Sequence, residues 1–245
     1  MNITNEIKDY SFAIKDYVSA NYKTAGIFEK YGIDYCCNGN RDLETACKEK
    51  NIDFNEISQK LKELGNKADE TAGYNEWDIY FLADYIINTH HAYVKKMIPV
   101  IKEHLVKIAG KHGENHPEIY SIKELFSVLG TDLLNHLQKE EKILFPIIKE
   151  IANFAKEDSG KQPANRMSIQ GPVTVMESEH AGAGEILEKM KLLSDNYTAP
   201  SDGCTTYKVT FQELNDFEKD LHKHIFLENS ILFPKAIRLE VKLRA

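Results

Sequence analysis

The sequence predicts an all-α protein, an antiparallel four-helix bundle preceded by a small helical domain. Three observations carry that prediction. Four long segments repeat apolar residues at helical spacing, polar loops separate them, and two of the segments contain one shared pattern. The pattern is H-x3-E-x2-I-L-F-P, written HLQKEEKILFP from His136 and HIFLENSILFP from His224, six identities in register 88 residues apart (224 − 136).

Composition disfavours the alternatives. Thirteen Gly and seven Pro among 245 residues are too few for a strand-rich, turn-rich fold, and the length is ample for a buried core in one large domain or two unequal ones. A net charge of −7 argues against nucleic acid, whose phosphates attract basic faces. No apolar run approaches the roughly 20 residues a membrane helix needs. The opening MNITNEIKDYSFAIKDY is charged throughout and lacks the apolar centre of a secretory signal. Four cysteines, Cys36, Cys37, Cys47 and Cys204, are too sparse for a disulfide scaffold, so reduced thiols and a cytoplasmic location are expected.

In chain order, residues 1–66 form the small domain. NYKTAGIFEKYG, RDLETACKEKN and DFNEISQKLKELG each read as a short amphipathic helix, with Gly32 and Gly65 as C-terminal stops and Asp42 and Asp53 as N-caps. GNKADETAGYNE, residues 65–76, is polar and aperiodic, which makes residues 67–76 a linker and 77–245 the bundle. The first long helix is expected from Trp77 to Ala109. The second runs from Pro117, a good first-turn residue, to Ala155. The third spans Pro172 to Ser194 and the fourth Thr206 to Leu243, lengths and loops that suit an antiparallel bundle.

Residues i and i+4 of a helix share a face, so His136 points with Glu140 and His224 with Glu228. Ile143 and Leu144 follow His136 at +7 and +8, and Ile231 and Leu232 follow His224 in the same way, which places each polar pair on an apolar, inward stripe. A single His–Glu pair is commonplace on helix surfaces. Two pairs in matched halves need a common cause, because burying imidazole and carboxylate without partners costs several kcal/mol. Metal binding is that cause. The third helix supplies His180, with Met176 at −4 and Leu187 at +7. The first supplies His90 or His91, and periodicity leaves the choice open, since Ile87, Val94 and Met97 flank both. Imidazole with carboxylate, and no thiolate, suits iron or manganese better than structural zinc. Six ligands from four helices exceed the needs of one ion, so we expect two non-haem Fe ions, a di-iron centre bridged by Glu140 and Glu228 with two histidines per iron. An oxo or hydroxo bridge would balance the remaining positive charge, and open positions would admit small diatomic molecules. His104, His112, His116 and His222 are expected in solvent.

Adjacent Cys36 and Cys37, between a helix and Asn38-Gly39, cannot form the usual C-x2-C chelate, and neighbouring side chains are expected to diverge. Two readings remain open: small residues packed in a tight turn, or a thiol pair for redox exchange or transient iron handling.

YGIDYCCNGNRDL, GPVTVMESEH, GCTTY and the two ILFP segments together resemble the RIC (repair of iron centres) family of YtfE/ScdA-type proteins, over most of the chain from about Thr24 to Ile237. The resemblance implies an ScdA-type domain with the Cys-Cys motif and a hemerythrin-like bundle holding a non-haem di-iron centre. It implies His90 rather than His91 as the ligand from the first helix, with His136, Glu140, His180, His224 and Glu228. Glu179 resembles an acidic residue of the family's access route, and Asp132 stands where the family commonly places Glu. The implied function is repair of iron–sulfur clusters after nitrosative or oxidative stress by supplying iron, with damaged or apo iron–sulfur proteins as partners, a thiol relay at Cys36 and Cys37, and a homodimeric assembly. The alternatives are a di-iron nitric oxide reductase and a hemerythrin-like carrier or sensor of O2 or NO.

Overall fold

The computed structural model describes residues 12–65, 73–157 and 168–244. Residues 66–72, which include most of the expected linker, and residues 158–167 of the loop before the third long helix lie outside the described residues. The chain packs as two compact units. One comprises Met1–Asp78 with Ile225–Pro234, the other Ile79–His224 with Lys235–Ala245.

The first unit contains helices α1 (Ile14–Ala20), α2 (Ala25–Lys30), α3 (Leu43–Glu49) and α4 (Phe54–Gly65). α2 stops at Gly32, whose φ of +63° is open to a residue without Cβ, and the Ile33 N–H closes the cap on the Phe28 carbonyl at 2.9 Å. Asp42 caps α3 by accepting from the Thr45 N–H (2.8 Å) and hydroxyl (2.7 Å). Ile14, Phe28, Leu43 and Ile57 are fully buried and form the core. Tyr22 and Tyr35 each set their ring 5.9 Å from the ring of Phe226.

The second unit holds the long helices. α5 (Ile79–Ile86) and α6 (Ala92–His112) make the first rod, α7 (Glu118–Lys139) and α8 (Phe145–Glu157) the second, and α9 (Gln170–Leu193) the third. The fourth rod begins as α10 (Thr205–Phe226) and ends as α11 (Phe233–Arg244). α5 packs on α8 and α6 on α7, so the first two rods are antiparallel, and α7 packs on α9. Phe217 of α10 meets Phe126 of α7 edge-on at 5.3 Å. The only β pairing among the described residues is the isolated bridge Ala13–Asp42.

The sequence-based rods are interrupted in a way that periodicity does not foretell. Single π-helical turns join the halves of three rods, at Ile87–His91, Glu140–Leu144 and Leu227–Leu232. In each, an amide bonds the carbonyl five residues back: Ala92 to Ile87, Phe145 to Glu140, Phe233 to Glu228. Pro146 and Pro234 follow directly, and a proline has no N–H with which to continue the i−4 ladder. The repeated Phe-Pro thus marks the end of a widened turn. The two matched π turns do not bury the same positions. Ile143, expected to face inward, is 56% exposed, whereas Ile231 at the matching position is buried. The fourth rod continues through the π turn at Leu227–Leu232, and Glu228 follows His224 by four residues on the same rod.

Candidate metal centre

The three π turns carry His90 and His91, Glu140, and Glu228, the positions at which such turns commonly serve function. Two clusters of buried donors result. His91, Glu140, His224 and Glu228 form one; His136, Glu140, His180 and Glu228 form the other. Within each cluster the ligand atoms lie within 4.8 Å of one another, and both glutamates belong to both clusters. The Nε2 atoms of His91 and His224 are 3.1 Å apart, and those of His136 and His180 2.9 Å. Glu140 Oε2 lies 3.4 Å from Nε2 of both His91 and His136.

The outer nitrogens explain why the inner ones point lone pairs inward. His91 Nδ1 is 2.8 Å from Glu141, which also accepts from Lys95 at 2.6 and 2.8 Å. His136 Nδ1 is 2.8 Å from Glu179, which also accepts from Lys139. A carboxylate at Nδ1 holds the proton there and leaves Nε2 as a lone pair, the arrangement of metal-ligating histidines. Burial pushes the Glu141 and Glu179 carboxyls up, but their lysine and histidine partners outweigh it and hold both below the ordinary glutamate value. Both carboxylates are therefore charged at neutral pH.

Converging imidazoles with two fully buried glutamates fit a pair of cations. Without positive charge between them, Glu140 and Glu228, each 0% exposed, would have to give up hydration at a cost of several kcal/mol. The absence of thiolates in either cluster fits borderline, oxygen- and nitrogen-seeking metals.

Five of the six expected ligands come together, and His90 does not. It belongs to neither cluster; its Nδ1 is 2.9 Å from Asp220, its Nε2 is buried without a partner, and its ring stacks on His224 at 5.8 Å. His91 takes the expected place. The physical reason is the π turn ending at His91, which turns the second of the two adjacent histidines inward. Its signal in the sequence was indirect, since this turn lacks the Phe-Pro of the other two.

A cavity of about 320 Å³ between α7 and α9 reaches this centre, lined in part by Asp132, His136, Lys139, Glu179 and His180. Glu179 and Asp132, both singled out in the sequence, therefore border it. Three of the four histidines expected in solvent depart from that expectation. His112 is buried, His104 pairs with Glu213 at 2.7 Å, and His116 with Asp202 at 2.9 Å, because each faces an acidic or aromatic residue of the fourth rod or the loop leading to it.

In the first unit, Asp34 shapes the cysteine turn. Its Oδ1 accepts from the amides of Cys36 (3.0 Å) and Cys37 (2.9 Å), and its Oδ2 from Asn38. The two sulfurs consequently lie 3.6 Å apart rather than diverging, with no disulfide between them. The hydrogen bond to Cys37, then burial, pushes the Cys36 thiol well above its ordinary value. The Cys36 carbonyl accepts from Asn229 Nδ2 at 3.3 Å.

Comparison with known proteins matches this architecture in both parts. Residues 82–236 match the Hemerythrin HHE cation binding domain, and residues 12–65 match ScdA_N, described as a domain of unknown function. The iron-sulfur cluster repair proteins YtfE of Enterobacter sp. (strain 638), Citrobacter koseri and Escherichia coli O157:H7 are each 34% identical over 218 residues, 88% of this chain and 91% of theirs. The chain belongs to the YtfE family. Its hemerythrin-like domain is of a cation-binding type, and the two buried clusters draw their donors from within the matched range. No helix among the described residues of this YtfE-family chain is long and apolar enough to cross a membrane.

Proposed function

We propose that this protein repairs iron–sulfur clusters damaged by nitrosative or oxidative stress, in the cytoplasm, and that it does so by supplying iron held as a non-haem di-iron pair. The observation that carries the reading is the sharing of Glu140 and Glu228 by two adjacent donor clusters. His91 and His224 would hold one ion, His136 and His180 the other, and the two glutamates would bridge them. The pair supplies exchangeable iron and redox capacity. The protein's own residues do the rest: Glu141 and Glu179 keep the Nδ1 protons of His91 and His136, and Lys95 and Lys139 keep those carboxylates charged. This accords with the relatives' name, iron-sulfur cluster repair protein. Damaged or apo iron–sulfur proteins are the partners, and Cys36 and Cys37, 3.6 Å apart, the thiols that assist transfer.

A second reading, reduction of nitric oxide at the same pair, is favoured by the cavity that leads to His136 and His180. One experiment separates them. Ferrous protein is incubated anaerobically with an apo-cluster protein, and separately with NO, while iron release and nitrous oxide are followed. Stoichiometric iron loss with restored cluster activity supports supply; nitrous oxide over many turnovers without iron loss supports the reductase.

A further inference from the structure

A further donor cluster lies within the first unit. Asp34, Cys36 and Cys37 bring one carboxylate oxygen and two sulfurs within 4.8 Å of one another. The loop that carries them is fixed on both sides. Tyr35 is buried, and its hydroxyl donates to Glu29 at 3.0 Å. Beyond the cysteines, the Ile14 and Lys15 amides at the start of α1 bond the Arg41 and Gly39 carbonyls, each at 2.9 Å. The bend between is tight enough that a Cβ at Gly39 would overlap the Tyr35 carbonyl oxygen. The three donors therefore need little rearrangement to receive a ligand.

Their spacing is that of a chelate. A tetrahedral ion with metal–sulfur bonds of about 2.3 Å sets two sulfurs about 3.8 Å apart, and a carboxylate oxygen about 3.5 Å from either. The Cys36 and Cys37 sulfurs are 3.6 Å apart, and Asp34 Oδ1 lies 3.4 Å from the Cys36 sulfur. A disulfide would need about 2.05 Å, and none joins the pair. Cys36 is buried while Asp34 and Cys37 are half-buried, so an ion can enter from their side and a further ligand can reach it there. Donor type separates this cluster from the metal centre. The two clusters of the centre offer imidazole and carboxylate, whereas this one offers two thiols and a carboxylate. Thiolate selects softer ions, and divalent affinity rises from Fe²⁺ to Zn²⁺.

We propose that Asp34, Cys36 and Cys37 form a second metal site, which holds one Zn²⁺ with three protein ligands and a fourth position open to water or an external thiolate. Binding releases the two thiol protons to solvent and changes no oxidation state. An ion held there withdraws both sulfurs from iron transfer, and this consequence alone rests on the iron-supply reading.

The test uses the full-length ferrous protein with its iron, kept anaerobic and titrated with Co²⁺, whose near-ultraviolet charge-transfer absorption reports ligation by thiolate. A single equivalent should bind with that absorption while iron content stays constant. Zn²⁺ should displace it where the same excess of Fe²⁺ does not. Cys37→Ser should remove most of the absorption, and Cys204→Ser should leave it intact. Asp34→Asn, which keeps an acceptor for the loop amides, should weaken binding by at least the roughly 10- to 100-fold that loss of a supporting group costs. Absence of thiolate absorption in the wild-type protein would overturn the proposal whether or not the variants fold. So would iron loss in step with cobalt uptake, absorption that depends on Cys204, unchanged affinity in Asp34→Asn, or displacement by Fe²⁺ as readily as by Zn²⁺. Cluster repair that proceeds undiminished with Zn²⁺ bound would overturn the withdrawal of the thiols and leave the site itself standing.

Discussion

At the scale of the residue, adjacent His90 and His91 are the informative pair. One hydrogen-bonds Asp220 and stacks behind His224; the other faces Glu140 and His224. Metal analysis after reconstitution should therefore give close to two Fe per chain for the wild type, a large loss in His91→Ala, and a smaller loss in His90→Ala. Equal retention in both variants would remove His91 from the ligand set. Glu140→Ala or Glu228→Ala should lose iron from both positions together, because each glutamate belongs to both clusters. The supporting carboxylates act more weakly. Glu179→Gln or Glu141→Gln, read by competition with a chelator, should lower iron affinity about 10- to 100-fold by freeing the imidazole tautomer. Their depressed pKa values also set a sign. The stabilisation they bring to the metal-free protein is complete above the unfolded glutamate value of about 4.3 and is lost as pH falls through the lower folded values. Thermal melts from pH 6 down to 3 should show the wild type losing that increment and Glu141→Gln/Glu179→Gln lacking it.

At the scale of the element, the turn between the third and fourth rods is under visible constraint. Asp195, Asn196 and Tyr197 all have positive φ, between 46° and 58°, a conformation that side chains with a Cβ resist. Glu218 of α10 holds the turn in place by accepting from the Tyr197 hydroxyl at 2.6 Å and from Lys191 at 2.7 Å. Glu218→Ala strands both donors, one of them buried, and should cost about 1–3 kcal/mol in urea unfolding. Glu218→Gln should recover part of it; a loss below 0.5 kcal/mol, roughly the size of a neutral surface change, would show that the turn is held otherwise. The helix ends and caps of the first unit were legible in the sequence, since Gly32 and Asp42 act locally. The π turns were not. Their signature, proline in the same place of two matched helices, was present, but a widened turn depends on what the rods enclose as well as on Phe-Pro.

At the scale of the whole molecule, the grouping of Ile225–Pro234 with the first unit bears on how separable the two parts are. Phe226 is fully buried beneath Tyr22 and Tyr35, so Phe226→Ala should cost about 3–5 kcal/mol, measured by urea unfolding. A fragment starting at Tyr74 would leave that ring uncovered; it should bind iron but melt below the full chain. A Cys36→Ala/Cys37→Ala variant should keep its iron and lose most cluster repair. Undiminished repair would leave the metal centre standing and remove the thiols from the transfer step.

Sequence alone determined the all-α class, the approximate rods, and five of the six clustered donors, because i,i+4 spacing on an apolar stripe dictates which side chains share a face wherever the helix is regular. It also determined the pairing of His136 with Glu140 and His224 with Glu228, a relation that spans a single turn. Tertiary structure decided what regular periodicity cannot express. The π turn ending at His91 chose between adjacent histidines, the surroundings of two matched π turns left Ile143 exposed and Ile231 buried, and Asp34 brought two neighbouring sulfurs together. Each depends on a local departure from the 3.6-residue repeat or on a hydrogen bond from a residue at no fixed spacing, and a pattern read at constant period carries no information about either.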